Sequence, residues 1–332
     1  MESSTRSEKA LASLCFGRKP SVDIAQAHQI MSSSRVLIGL PVFNGAKYIG
    51  SAIESLLNQT LSEFRLVIGD NASTDDTEDI CRSYARVDPR INYFRHGKNL
   101  GGVANFRFVY RPAGEPYFKW TGHDDTLEPT YLERCVAVLE NDSSLALAQS
   151  LALEIGPTGA KSRTFYDEIR LSGARPRDRL WRLLWARHVT QIWAVMRTEL
   201  VDMVRPMGTY PGSDRNFSAE LLMLGDMGYV EEHLLCLRSR PDAYGGGAVR
   251  GKRSRFLWHD SNAKVPIAPS GLINLREYFR SVMTLPLPKR ERVACLRVVT
   301  EWGLRRGFEE LTGRGESYRD RIAREYPLHG QT

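Results

Sequence analysis

Four short apolar runs, each handing over to a stretch with helical spacing, leave this 332-residue chain few folds to choose from. Val36-Leu37-Ile38-Gly39-Leu40, closed by Pro41, suits a strand buried on both faces. After a turn at Val42-Phe43-Asn44-Gly45, residues Tyr48, Ile49, Ala52, Ile53, Leu56 and Leu57 recur on one helical face. Leu66 to Gly69 repeats the strand pattern, and Ile80, Tyr84 and Val87 are expected to form the buried face of the next helix. Ile91 to Phe94, a helix carrying Val103, Phe106, Val109 and Tyr110, and Tyr117 to Trp120 continue the alternation. Such an order predicts an α/β fold with a doubly wound, mostly parallel sheet flanked by helices. Leu272, Leu275 and Phe279, then Val293, Leu296, Val299, Trp302 and Leu304, predict a helical C-terminal extension.

The fourth run ends in the most chemically loaded segment, Tyr117-Phe118-Lys119-Trp120-Thr121-Gly122-His123-Asp124-Asp125. A strand ending at Trp120 delivers both aspartates to the carboxyl edge of the sheet, where ligands of open α/β folds bind. Adjacent carboxylates repel and call for an ion or a positive ligand. A hard divalent cation fits, because it is commonly held by one or two carboxylates plus substrate phosphates. The same residues support another expectation: Asp125-Thr126-Leu127-Glu128 has capping-box spacing, with Pro129 at the start of a helix through Tyr131, Leu132, Cys135, Val136 and Leu139.

Net charge is +7, and Lys161 to Arg187 holds eight basic residues against three acidic ones. That bias suits nucleotide phosphates, an acidic membrane surface or nucleic acid, but no aromatic-basic motif supports nucleic acid. Five scattered cysteines without Cys-x-x-Cys spacing point to a reducing cytoplasm and to neither a disulfide frame nor a zinc site. No apolar run approaches the roughly 20 residues that span a bilayer. Residues 1–34 read as a polar leader without a secretory signal, and Met31 is an alternative start. A dinucleotide-binding Gly-x-Gly-x-x-Gly is missing, since the first turn carries one glycine after Pro41.

Leu40-Pro41-Val42-Phe43-Asn44, Ser55-Leu56-Leu57-Asn58-Gln59-Thr60, Asp70-Asn71-Ala72-Ser73-Thr74-Asp75-Asp76-Thr77, Asn99-Leu100-Gly101, Asn105 and His123-Asp124-Asp125 follow one another over Arg35 to about Leu139. Together they resemble the family 2 glycosyltransferases of the GT-A fold. Gly212-Ser213-Asp214-Arg215, Glu220-Leu221-Leu222 and Gly225 resemble the acceptor half of that family more loosely. The expected organisation is a leader over 1–34, a nucleotide-sugar-binding half over 35–150, an acceptor-binding half over 151–245, and a basic loop with helical extension over 246–332.

The resemblance implies an inverting enzyme of hexosyltransferase type. It would move a sugar from a nucleotide-diphosphate sugar, most simply a UDP-sugar, to a hydroxyl of a glycan or lipid-linked acceptor, as in polysaccharide biosynthesis. Carried over residue by residue, Pro41, Val42 and Asn44 line the base pocket and Asp70 reads the base edge, with turn capping as its alternative role. Asn99 and Asp124 lie on the donor, and Asp125 holds a divalent cation, Mn²⁺ or Mg²⁺. His123 either contacts the diphosphate or is only a neighbour of the acids. Asp214 is the implied general base, and the N-cap of a helix carrying Phe217, Leu221 and Leu224 is its alternative role. Many members carry a histidine where this chain has Arg240, which cannot ligate a cation but binds phosphate well.

Two basic segments extend these expectations. Arg177 to His188 is an amphipathic helix that either attaches to a membrane surface or docks its Trp-Leu face on the sheet with its arginines solvated. Gly245-Gly246-Gly247 with Arg250, Lys252, Arg253 and Arg255 reads as a mobile lid or an ordinary basic loop. Two other functions compete: a degenerate member that binds a nucleotide sugar or glycan without turnover, and a nucleotidyltransferase, for which Leu40 to Lys47 lacks a glycine-rich basic loop.

Overall fold

A computed structural model describes residues 34–165, 171–186, 189–239, 252–262 and 264–312. In chain order the elements are β1 (Val36–Val42), α1 (Ile49–Leu57), β2 (Phe64–Asp70), α2 (Thr77–Val87), β3 (Ile91–Arg95), α3 (Gly102–Phe108), β4 (Tyr117–Trp120), β5 (Thr126–Leu127), α4 (Tyr131–Asn141), β6 (Leu145–Ile155) and β7 (Lys161–Phe165). Then come α5 (Pro176–Trp185), β8 (Val195–Arg197), α6 (Thr198–Met203), α7 (Ser213–Leu224), β9 (Asp226–Arg238), α8 (Lys252–His259), α9 (Ser270–Thr284) and α10 (Lys289–Thr312).

All strands join one sheet in the order β3-β2-β1-β4-β8-β6-β9-β5, with β7 on β6. The first four pair in parallel, as do β6 and β9. β8 runs against β4 and β6, β5 against β9, and β7 against β6. The sheet is therefore mixed but mostly parallel, and the expected α/β architecture holds.

Side-chain alternation along β1 and β4 divides the interior in two. Val36, Ile38 and Leu40 meet α1, α2 and α4 through Ile53, Cys81 and Tyr131. Leu37, Phe118 and Trp120 face the opposite way, toward α3, α5, α7 and the α9–α10 pair, where Leu183, Phe217, Tyr278 and Trp302 fill the layer. Because α7 precedes a strand parallel to β6, it starts at the sheet's carboxyl edge.

Several expectations are corrected. The capping box does not form: Thr126 and Leu127 pair with Cys236 and Leu235 of β9, and α4 begins at Tyr131 behind Thr130 with no side-chain cap. Burying Leu127 against β9 outweighs a terminal hydrogen bond. Val87 is 78% exposed, since the phase of α2 is set by Thr77 and Cys81. Helix α5 buries Leu180, Leu183, Leu184 and also Arg179, and Trp302 of α10 donates to the Leu184 carbonyl at 3.1 Å. Its leucine face is covered by protein and does not meet a membrane. Lys252, Arg253 and Arg255 belong to α8 instead of a loop, whereas Gly245-Gly246-Gly247, Arg250, Arg240 and residues 1–33 lie outside the described residues. No helix among the described residues is long and apolar enough to cross a membrane.

Candidate active site

Three loops at the carboxyl edge are tied to one another by short polar side chains. Asn44 turns the chain after β1 at φ 50°, a left-handed conformation that asparagine tolerates. Its side-chain oxygen accepts from Thr74 N at 2.8 Å, and its own N–H donates to Ser73 Oγ at 2.9 Å. Gly45 N donates to Thr77 Oγ1 and Ala46 N to Asp75 Oδ2, so the β1 turn clamps the β2 loop at four points. Asn71 Oδ1 accepts from Leu100 N at 2.8 Å while its amide donates to Asn99 Oδ1 and Gly101 O, joining the β2 loop to the start of α3. Asn105 closes the set by donating to Gly69 O at 2.6 Å.

Within this frame Asp70 is fully buried. One carboxylate oxygen accepts from Ser73 N at 2.8 Å, the other from Tyr93 OH at 2.7 Å with Arg95 Nε at 3.6 Å. The turn-capping role is present, and a base could reach this carboxylate only where the loops part. Pro41 and Val42 are buried too, so the strand end presents Phe43 and Asn44 to solvent. Asn99 is spent on the loop ladder, where its Oδ1 also accepts from Gly101 N at 2.8 Å.

The end of β4 is built differently. A Cβ on Gly122 would stand 2.5 Å from Asp125 Oδ2 and 3.1 Å from Asp124 Oδ1, so only glycine lets both carboxylates fold back over this turn. Asp125 is 8% exposed and its Oδ1 accepts one hydrogen bond, from Arg238 N at 2.9 Å. The Arg238 side chain donates to Asp124 O and Gly156 O, each at 2.8 Å, and its guanidinium lies 4.7 Å from the centre of the Tyr48 ring. Burial, then the neighbouring charge of Asp124, pushes the Asp125 carboxyl up to about 7 against the opposing pull of Arg238 and Lys119. His123 packs its ring beside Gly45, with Nδ1 4.0 Å from Asp124 Oδ1.

Lys119 lies beneath this turn, fully buried, donating to the Trp193 carbonyl with its Nζ 4.8 Å from the centre of the Tyr131 ring. Burial pulls its ammonium down to about 7. Asp214 occupies the first turn of α7, whose Phe217 stacks edge-on against Trp120 at 5.1 Å. It is not the N-cap, which is Gly212 at φ 93°. Its charge reaches His259 of α8, where burial lowers the imidazole and Asp214 raises it. Helix α8 closes on the α3 N-terminus: a Cβ on Gly101 would lie 2.8 Å from His259 O, and Ser261 Oγ donates to Asn99 O at 3.0 Å.

Topology thus brings Asn44, Asp70, Asn99, Asp124, Asp125 and Asp214 to one edge of the sheet. Sequence reasoning missed Arg238, Tyr93 and Lys119. Arg238 could have been found only by knowing that β9 returns beside β5, 113 residues later in the chain. Among the described residues no cluster of three or more His, Cys, Asp or Glu forms a metal site. Asp124 Oδ1 and Asp125 Oδ2 converge as two hard oxygen donors, which fits a cation completing its shell from phosphate and water.

The family model described as glycosyl transferase family 2 matches residues 37–204. Chondroitin synthase from Escherichia coli is 35% identical over 112 residues, which are 33% of this chain and 16% of that protein. The putative glycosyltransferase EpsH from Bacillus subtilis is 29% identical over 130 residues, 39% of this chain and 37% of EpsH. The chain thus aligns with well under half of these relatives' lengths. Among solved structures, S. aureus TarS 1-349 in complex with UDP-GlcNAc superposes with a TM-score of 0.59 at 16% identity, covering 84% of this chain and 75% of TarS. The mannosyltransferase PcManGT from Pyrobaculum calidifontis in complex with GDP-Man and Mn²⁺ gives 0.50 at 15% identity, covering 84% and 79%. At such identities the structures speak for the fold, and the family model, matched over just more than half of the chain, speaks for descent: this protein is a member of glycosyl transferase family 2.

Proposed function

We propose that the protein is an inverting glycosyltransferase that takes a hexose from a nucleoside diphosphate sugar, UDP-linked in the first instance, to a hydroxyl of a glycan or lipid-linked acceptor. The observation that carries this reading is the convergence of Asp124 and Asp125 over Gly122, with the Asp125 carboxyl buried beside a like charge. Structural neighbours solved with UDP-GlcNAc and with GDP-Man and Mn²⁺ support a nucleotide-sugar donor and a divalent cation.

In this reading the base rests near Phe43 and Asn44, and Asp70 reads its edge where the loop opens. Pro41 and Val42 back that pocket, and Asn99 holds the loop against α3. Asp125, with Asp124 toward the ribose, would hold Mn²⁺ or Mg²⁺. Bound there, the cation supplies charge neutralisation for the departing diphosphate. Arg238 keeps Asp125 oriented through its backbone N–H and keeps the turn in place through the Asp124 carbonyl. Arg240 would contact diphosphate oxygens, as guanidinium groups do.

Asp214 would accept the proton of the acceptor hydroxyl as that oxygen attacks the anomeric carbon from the face opposite the nucleotide. Protein exposure to the cytoplasm, where nucleotide sugars are made available, is the corresponding location.

Titration calorimetry with UDP and with GDP, each with and without Mn²⁺, tests the reading. UDP binding that requires the metal and vanishes in Asp125→Asn is the expected result. Metal-independent binding would reassign the diphosphate contacts to arginine, and no binding of either nucleotide would overturn the donor assignment.

A further inference from the structure

We propose that the α9–α10 hairpin is a docking face for an anionic lipid surface. Between Ser270 and Arg306 the chain carries eight lysines and arginines against three glutamates, and one of these, Glu277, is buried between Arg205 at 2.9 Å and Arg276 at 2.7 Å, which leaves a positive excess on the hairpin. The same segment holds four of the eight large hydrophobic side chains that stand exposed among the described residues: Leu272, Met283, Val293 and Leu304.

Their placement is ordered. At 100° per residue, Leu272, Arg276 and Met283 lie within about 40° of one another on α9, and Val293, Arg297 and Leu304 lie within about 40° on α10. The two helices pack antiparallel, with Leu275 against Gly303, Tyr278 edge-on to Trp302 at 5.4 Å, and Arg292 donating to the Leu285 carbonyl at 3.0 Å. On each helix the exposed stripe is about a third of a turn from this contact. In an antiparallel pair that offset turns both stripes to the same side of the hairpin, giving one face where cations alternate with apolar side chains.

A lipid surface meets both halves of that pattern at once, with headgroup charge for the arginines and an acyl layer for the leucines, methionine and valine. A second copy of the chain fits poorly, because a two-fold pairing brings two faces of the same positive excess together. The α5 helix, whose sequence is equally basic and aromatic, has its leucine face covered by α7 and α10 and does not compete. Lipid docking requires neither donor nor acceptor and stands apart from the transfer chemistry.

The test uses the full chain and sedimentation with phosphatidylcholine vesicles, either pure or with about 30% phosphatidylglycerol to create a negative surface potential. Binding to the anionic vesicles alone is expected, and it should fall steeply in about 0.5 M salt, where the Debye length shrinks below 5 Å. Arg276→Gln with Arg297→Gln should weaken partition about tenfold or more, at roughly one charge contact each. Met283→Gln with Leu304→Gln should weaken it while leaving the salt dependence in place. All four side chains are exposed, and Glu277 loses Arg276 but keeps Arg205, so thermal melting should change little. Equal binding to neutral vesicles, or anionic binding that survives all four substitutions, overturns the proposal. So does a self-associating species that the four substitutions dissolve.

Discussion

Asp70 ends β2 and Asp125 lies in the turn that follows β4, the two strands that flank β1, and both are almost inaccessible to water. Their surroundings are opposite. Asp70 receives a backbone N–H, a phenol and a nearby guanidinium, within loops already bonded to one another. Asp125 receives one backbone N–H and lies beside a second carboxylate. The first arrangement is finished without a ligand and makes a stiff wall. The second keeps a like-charge repulsion that Arg238 and Lys119 offset only in part, and on the proposed function a cation and diphosphate would remove the rest.

The strongest way to break this comparison is Asp125→Asn. Transfer should fall about a thousandfold, in line with losing several kcal/mol of cation-borne stabilisation, while the metal-free protein melts higher because a buried like charge is gone. Calorimetry on steady-state kinetics samples and a thermal scan check the two signs; a lower melting temperature would deny the stored repulsion. Asp214→Asn should cost about 10²- to 10⁴-fold in kcat with nucleotide affinity intact. Equal loss of affinity would return Asp214 to a structural role in α7.

Asp70→Ala probes the finished side. It leaves the Ser73 N–H and Tyr93 hydroxyl without their acceptor and should cost about 2–4 kcal/mol in urea unfolding, whether or not nucleotide is bound. The smallest effects concern pH. Asp125 has a folded value near 7 against an ordinary value of 3.8, so the fold prefers its protonated form. Its contribution to metal-free stability is present below about 4 and declines as pH rises toward 7. Buried Lys119 works in another window: its value falls from 10.5 to about 7, so its neutral form is favoured and stability recovers between pH 7 and about 10. Lys119→Met should remove that recovery and stabilise by about 1–2 kcal/mol near neutrality, since Tyr131 OH still donates to Trp193 O at 3.0 Å. Melting temperature measured across pH 4 to 10 for wild type, Asp125→Asn and Lys119→Met separates the two titrations.

The strand-helix alternation was legible in the sequence because periodicity is a local property. Val36 to Leu40 and Ile49 to Leu56 reveal their period within a single element, and the structure confirms both elements. The juxtaposed aspartates and the polar loop after β2 were legible for the same reason, since adjacency and turn chemistry need no partner. Phase was less secure: Ile80 and Tyr84 do pack against the core, but packing on the sheet buried Thr77 and Cys81 most deeply and left Val87, the third residue of the expected face, outside.

Contacts between distant segments were decided by tertiary structure alone. The capping-box spacing at Asp125 to Glu128 describes what the segment could do in isolation, and pairing with β9 made it a strand. That same pairing supplied Arg238, and with it the only hydrogen-bond donor to Asp125 among the described residues. Nor do the residue types on α5 and on α9–α10 distinguish the covered basic helix from the open one, because accessible surface depends on what packs alongside. Sequence determined the layers and the chemical groups at the carboxyl edge; the sheet order determined which partners those groups received, because β9 returns beside β5 and brings Arg238 to Asp125.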